Sequence, residues 1–238
     1  FFLKMDRELQ KGHQIVYGRV IPKNPHVSLA SNFMSVLLSF QNRIWRLPAS
    51  NSKRSGFFAG TGVCITVSVL EKIGWNIRTL VEDAEFSIQA ALKGENVVYC
   101  HDAEIYVEQV KSFRKFLIQQ RRWRTGQIAC LKFYGKPLLR EVILKRNSNV
   151  LSSLFLVLVP LICVLSIVQF LLSPIISFLF TGSLFPNFIF SVLGMPLTFL
   201  FNCLMQSIVL MLDGSSPLKY WKGIIGTFFS PLFYGVLD

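Results

Sequence analysis

From Asn147 to Leu212 the chain has no Asp, Glu, Lys, Arg or His. A charge-free stretch of that length needs an apolar surrounding on every side, and a chain of 238 residues has too little protein left to supply it. Lipid is the surrounding it calls for. The five cysteines, at 64, 100, 130, 163 and 203, form no C-x-x-C pair, which excludes a compact thiolate metal or redox site and leaves them as reduced, buried small hydrophobes. His13 and His26 have no partner at ligand spacing and carry no role. No Asp-x-Asp occurs anywhere. Phe1-Phe2-Leu3 is neither an initiator sequence nor a signal peptide, and the last apolar run stops at Asp238 short of a span. Both ends therefore read as cut, and the chain as a fragment of a longer protein.

What is present is basic. Residues 1–146 hold 23 Lys and Arg against 11 Asp and Glu, so the net charge of +12 belongs wholly to the part before the charge-free stretch. Such a balance suits anionic headgroups, a nucleotide diphosphate or nucleic acid. Nucleic acid is disfavoured because the cations crowd beside the apolar half rather than on an independent face.

The first 110 residues alternate helical and extended signals. Phe2, Leu3, Met5 and Leu9 fall at helical spacing before Gly12, and Gln14 to Ile21 has the β-branched alternation of a strand that Pro22 and Pro25 terminate. Ser28 or Ser31 caps a helix over 32–45. Residues 48–56 read as a polar loop, and Phe57 to Thr66 as an apolar strand interrupted by Gly60-Thr61-Gly62, where backbone must approach something closely. A short helix over 67–73 closes at Gly74, and another from Asp83 to Lys93 closes at Gly94. Short strands at 97–99 and 105–107 flank a turn at His101-Asp102. Such alternation predicts a parallel or mixed α/β sheet.

From Lys111 to Arg146 the charge is one-sided, eleven cations against the single acid Glu141, with Phe113, Phe116, Leu117, Trp123, Ile128 and Leu131 interleaved. That pattern predicts helices lying along a membrane surface. Two spans follow, Val150 to Phe180 and Phe188 to Leu212, with Pro160 marking a kink and Pro174 an end. A truncated third run covers 223–237. The positive-inside rule puts 111–146 in the cytoplasm, returns Lys219 and Lys222 to that side and leaves the uncharged 181–187 connection outside.

Two clusters bear chemistry. Glu82-Asp83, after Leu80-Val81, sits at a strand end and opens a helix; it reads either as a plain cap or as a carboxylate base for a hydroxyl group. Gln119, Arg122 and Trp123 share a helical neighbourhood and read either as an interfacial anchor or as a set that holds a diphosphate through guanidinium and stacks a sugar on indole. Asp102-Ala103-Glu104 after His101 imitates a metal site but reads as a solvated turn.

The order Gly60-Thr61-Gly62, Val81-Glu82-Asp83 and Gln119-x-x-Arg122-Trp123, running into apolar spans, resembles the inverting family 2 glycosyltransferases related to cellulose, chitin and hyaluronan synthases and to bacterial N-acetylglucosaminyltransferases. Tyr17-Gly18-Arg19 with Asn24-Pro25, and Lys222-Gly223-Ile224, extend the likeness over most of the chain. The resemblance implies Asp83 as catalytic base with Glu82 beside it. It implies Gln119, Arg122 and Trp123 as the segment closing over donor diphosphate and acceptor sugar, and Gly60, Thr61 and Gly62 as acceptor lining. It also implies a divalent cation, Mg2+ or Mn2+, held in the intact enzyme by an Asp-x-Asp that this sequence lacks, so that no metal ligand lies in the fragment and the fragment alone is inactive.

The expectation is thus an α/β fold: a partial GT-A-type nucleotide-sugar transferase domain over 1–110, basic interfacial helices over 111–146, and a transmembrane region over 147–238. The expected protein is a multi-pass cell-membrane enzyme with its catalytic part cytoplasmic, moving sugar from a nucleotide-sugar donor, a UDP-sugar first, to a growing polysaccharide. A non-processive glycolipid transferase and a non-catalytic, basic, membrane-anchored binding module stay open beside it.

Overall fold

A computed structural model describes residues 1–52, 54–181 and 185–228. Helix α1 (Phe2–Gln10) buries Met5 on the sheet and leaves Phe2 and Leu3 exposed. Strand β1 (Ile15–Pro22) sends Ile15 and Tyr17 to one face and Val16 to the other, as the two-residue period requires. Helix α2 (Leu29–Phe40) starts earlier than its sequence suggests, because Ser28 and Ser31 form a reciprocal capping box: the Ser31 N–H donates to Ser28 Oγ at 3.1 Å and the Ser28 N–H to Ser31 Oγ at 3.0 Å. It continues as a π-helical turn (Gln41–Arg46) into the short helix α3 (Leu47–Asn51), which occupies ground expected to be loop.

The expected strand over 57–66 is confined to β2 (Val63–Ile65). Phe57 and Phe58 are buried but unpaired chain, and Gly60 and Gly62, at φ 57° and 65°, turn the backbone before pairing begins. Helix α4 (Val67–Ile73) ends at Gly74 and helix α5 (Glu82–Leu92) just before Gly94, both glycines at positive φ.

Strand β3 (Val97–Val107) replaces two short strands around a turn. It pairs parallel to β1, while β2 pairs antiparallel on the other side, so the sheet is mixed, in the order β2-β1-β3. The residues read as a turn are a bulge: Gly18 faces Cys100 but Arg19 faces Glu104. A side chain at Gly18 would run into the Ala103 carbonyl, which is why glycine stands there.

Helix α6 (Phe113–Ile143) is a single rod rather than several interfacial helices. Helix α7 (Leu151–Thr181) continues through Pro160 and Pro174, so neither ends it, and helix α8 (Phe185–Leu212) follows. Among the described residues, Ser148–Ser166 is long and apolar enough to cross a membrane by length and composition; Pro196–Leu212 is apolar but shorter. Leu154 and Val157 in the first part of α7, with Val150 just before it, pack with Ala84, Ile88 and Ala91 of α5 and with Cys130 and Leu138 of α6. Helix α9 (Trp221–Phe228) closes the described chain; the rest of the expected third run, and the middle of the 181–187 connection, lie outside the described residues.

Helix α2 is the hub of this second half. Phe33 and Met34 pack with Val20 and Phe116, while Val36 meets Leu210 of α8 and Ile224 of α9. Gly223 lies so close that its N–H donates to Asn32 Oδ1 at 2.7 Å, and a Cβ there would stand 2.6 Å from the Asn32 carbonyl oxygen. Just past α8, Asp213 is buried between two guanidinium groups, 2.6 Å from Arg43 Nε and 3.0 Å from Arg19 Nη2.

Candidate active site

The acidic pair begins α5, but the residues before it are an irregular loop rather than a strand end. Glu82, Asp83 and Glu85 all fall in the first turn, where exposed N–H groups favour negative charge. Asp83 is not the cap; Val81 holds that position. Asp83 Oδ1 accepts the Ala84 N–H at 2.7 Å, and the Ser87 hydroxyl donates to the Asp83 carbonyl at 2.7 Å. Ser87 in turn accepts the Phe58 N–H at 3.3 Å, which ties the glycine-bearing turn to α5. A Cβ built on Gly60 would lie 3.4 Å from Asp83 Oδ2. A side chain at Gly60 would thus lie at ordinary contact distance from the Asp83 carboxylate.

A cavity of about 270 Å³ opens here. Ala59, Gly60 and Thr61 form one wall, Leu80 to Asp83 the floor, and Arg122 with Trp123 of α6 the opposite wall. Six of the eight residues singled out in the sequence therefore share one cleft. Gly62 does not: its carbonyl accepts the Gly18 N–H at 2.8 Å, and its Cα faces Ile105, so it shapes the sheet edge. Gln119 does not line the cleft either; it lies one helical turn before Trp123, with its Oε1 buried and unbonded among the described residues.

Burial raises the Asp83 carboxyl above its ordinary value of 3.8, the Ala84 N–H opposes that, the neighbouring Glu82 reinforces it, and Arg122 weakly offsets it. A carboxylate that holds its proton more tightly than usual is a better base near neutral pH. Beside it stand a guanidinium and an indole, group types chemically able to pair with a diphosphate and to stack on a sugar face.

The sequence reading missed two supports. Gly126 lets α6 approach the floor: a Cβ there would stand 2.6 Å from Val81 Cγ1. Glu85, the third acid of the first turn, is wholly buried behind the floor and accepts the N–H groups of Arg78 and Thr79 at 2.8 and 2.7 Å. A small residue one turn beyond the Arg-Trp pair, and an acid too many for a cap, were the signals available.

Among the described residues no three His, Cys, Asp or Glu side chains converge on one point. Glu104 lies on the bulged strand and bonds Tyr106 and Arg19, and His101 faces the Tyr99 hydroxyl at 3.3 Å. The residues here do not build a cradle for Mg2+ or Mn2+.

A family model described as glycosyl transferase family group 2 matches residues 1–211. Glucomannan 4-beta-mannosyltransferase 1 of Oryza sativa subsp. japonica is 33% identical over 104 residues, which are 43% of this chain and 20% of that protein. Probable glucomannan 4-beta-mannosyltransferase 14 of Arabidopsis thaliana is 32% identical over 111 residues, 45% of this chain and 20% of that protein. A third relative, probable glucomannan 4-beta-mannosyltransferase 3 of Arabidopsis thaliana, is 38% identical over 71 residues, 30% of this chain and 13% of its own length. The chain spans a fifth or less of the length of these relatives.

Proposed function

The chain belongs to glycosyl transferase family group 2, and from that premise we propose that it is part of a membrane-bound inverting transferase that moves a sugar from a nucleotide-sugar donor to a growing polysaccharide. The observation that carries the reading is the single cleft in which Asp83 faces Arg122 and Trp123. The plant relatives' names make a β-linked, mannose-containing polymer the first product to look for. A UDP-sugar is one candidate donor and a nucleotide-activated mannose the other.

The chemistry is a single displacement. Asp83 takes the proton of an acceptor hydroxyl, and the oxygen attacks the anomeric carbon from the face opposite the leaving group. The bond to the diphosphate oxygen breaks with its electron pair, and the configuration inverts. Arg122 offsets the charge that gathers on the departing diphosphate, and Trp123 stacks on the acceptor ring and orients its hydroxyl. A divalent cation, when bound, would add charge compensation at the diphosphate; among the described residues no three acids, His or Cys converge to hold one. Glu82 lies on the floor beside the base and keeps the local potential negative.

Membrane attachment through α7 and α8 is part of the proposal. Leu161, Leu165, Val168, Leu172, Ile175 and Leu179 are exposed along α7 in a stretch without charge. The N-terminal end of α7 packs on α5 and α6, and the C-terminal end of α8 is followed by Asp213, ion-paired beside the sheet, which supports both feet of the pair lying on one side. The basic α6 on that side supports a cytoplasmic catalytic part and an anionic lipid surface as partner.

The test uses the full-length protein in its native membrane with radiolabelled UDP-glucose and a nucleotide-activated mannose. Asp83→Asn is expected to lower kcat by about 100-fold or more while donor KM stays within about twofold. Undiminished transfer would sink the reading and leave the basic, membrane-anchored binding module in its place. Product length separates a polysaccharide synthase from a glycolipid transferase.

A further inference from the structure

We propose that Glu85 and Tyr134 form a positioning latch that sets the base-bearing α5 against the sugar-facing wall of α6; the proposal rests on the function proposed above. Glu85 is 0% exposed and makes no ion pair among the described residues. A buried carboxylate without a cation is costly, so its remaining contacts have to be unusually good. They are: one oxygen accepts the backbone N–H groups of Arg78 and Thr79, and the other accepts the Tyr134 hydroxyl at 2.7 Å. Tyr134 Oη also accepts Gln89 Nε2 at 2.8 Å, and that same amide nitrogen reaches the Asn76 carbonyl at 2.9 Å. Three segments meet on one carboxylate: the loop leading to the acidic pair, α5 itself and α6.

The register of α6 explains what the latch does. Trp123, Gly126, Cys130 and Tyr134 follow one another at intervals of three and four residues, which is a single helix face. At one end of that face Trp123 walls the cleft. Gly126 is pressed against Val81, Cys130 Sγ lies 3.6 Å from Thr79 Oγ1, and Tyr134 reaches Glu85 at the far end. Each of these partners lies between Thr79 and Glu85, the segment that contains Asp83. A turn or slide of α6 would therefore break the Glu85 contact and shift Trp123 relative to the base together. Burial alone would raise the Glu85 carboxyl, but the Arg78 N–H, the Tyr134 hydroxyl and the Thr79 hydroxyl and N–H outweigh it and hold the group below its ordinary range, so the latch is ionised and closed at neutral pH.

The experiment compares the parent, Tyr134→Phe, Glu85→Ala, Glu85→Gln and Asp83→Asn in the full-length membrane enzyme, measuring kcat, donor KM and the acid limb of kcat/KM with radiolabelled UDP-glucose and a nucleotide-activated mannose. Tyr134→Phe removes only a hydroxyl and keeps the test decisive where Glu85→Ala fails to fold. Tyr134→Phe and Glu85→Ala are expected to lower kcat by about tenfold with donor KM within about twofold, the signature of a misplaced base. Glu85→Gln, which can still accept the loop N–H groups and meet the Tyr134 oxygen, recovers most of the rate. Loosening α6 admits water to Asp83, which faces Glu82 on its own helix and Arg122 across the cleft, so the acid limb moves down toward the ordinary carboxylate range, a readout that simple loss of stability would not move. Parent-like rates and an unshifted acid limb in Tyr134→Phe, beside an inactive Asp83→Asn, would overturn the latch and leave the function standing. An active Asp83→Asn would overturn both.

Discussion

Val81 fills the space that a side chain at position 126 would need: a Cβ on Gly126 would stand 2.6 Å from Val81 Cγ1 and 2.7 Å from Cγ2. The methyl groups of a buried valine cannot swing aside as the end of a lysine could. Glycine at this point lets α6 carry Arg122 and Trp123 to the cleft.

Gly126→Ala is therefore expected to lower transfer by about tenfold or more, because the helix wall must move back from Asp83. Alanine gains about 1 kcal/mol of helix propensity against an overpacking cost of about 1–3 kcal/mol, so a net stability loss of up to about 2 kcal/mol accompanies the fall in activity. Val81→Ala added to Gly126→Ala restores the space. Recovery of kcat in the double variant checks the idea, and a double variant as slow as Gly126→Ala would refute it.

The raised Asp83 carboxyl has consequences in two measurements. The base works only when ionised, so kcat/KM should rise with pH along an acid limb lying above 3.8, the ordinary value for this carboxyl. For stability the sign is opposite. The folded chain binds this proton more tightly than the unfolded chain, so the contribution is fully present below the ordinary value and is lost as pH rises through the raised one. Asp83→Asn should thus melt above the parent at neutral pH and lose that advantage in acid. A parent that melts higher than Asp83→Asn at pH 7 would contradict the assignment.

Asn32 joins the two halves of the chain through two contacts, accepting the Gly223 N–H at 2.7 Å and donating to the Lys219 carbonyl at 3.3 Å, while a third, to the Pro25 carbonyl at 3.3 Å, is local. Asn32→Ala strands a buried donor on α9, and the expected loss is about 1–3 kcal/mol. Protease cleavage after Lys219 or Lys222 should accelerate in the variant while β1 and α5 remain protected. Unchanged cleavage would show that α9 is held by its apolar contacts alone.

Much of the cleft was legible because its parts carry local signatures. Glycines closing α4 and α5 marked where those helices stop, whereas Glu82-Asp83 and Arg122-Trp123 read locally as a cap and an interfacial anchor as readily as a site, and only the family resemblance set them together. Gln119 shares the angular face of Trp123 but lies a turn earlier on α6 and is not among the residues lining the cleft, an offset along the axis that helical spacing alone does not show. Glu85 escaped notice because its partners, two backbone N–H groups and a tyrosine on another helix, leave no trace in neighbouring sequence. The bulge in β3 is hidden for a related reason: the register shift that leaves His101 to Ala103 unpaired brings the Ala103 carbonyl against Gly18, a residue far away in sequence. The run 57–66 had the apolar content of a strand, yet its first residues fill core between α3 and α5 without pairing, and composition reports burial better than it reports pairing.

Asp213 is the first charge after the long apolar run, and its side chain is only 4% exposed and lies between Arg43 and Arg19. Since the start of α7 is packed on α5 and α6, the helical hairpin behaves as an arch anchored at both footings. The hairpin therefore joins the rest of the chain at two places, one at the α5–α6 seam beside the cleft and the other at the arginine pair.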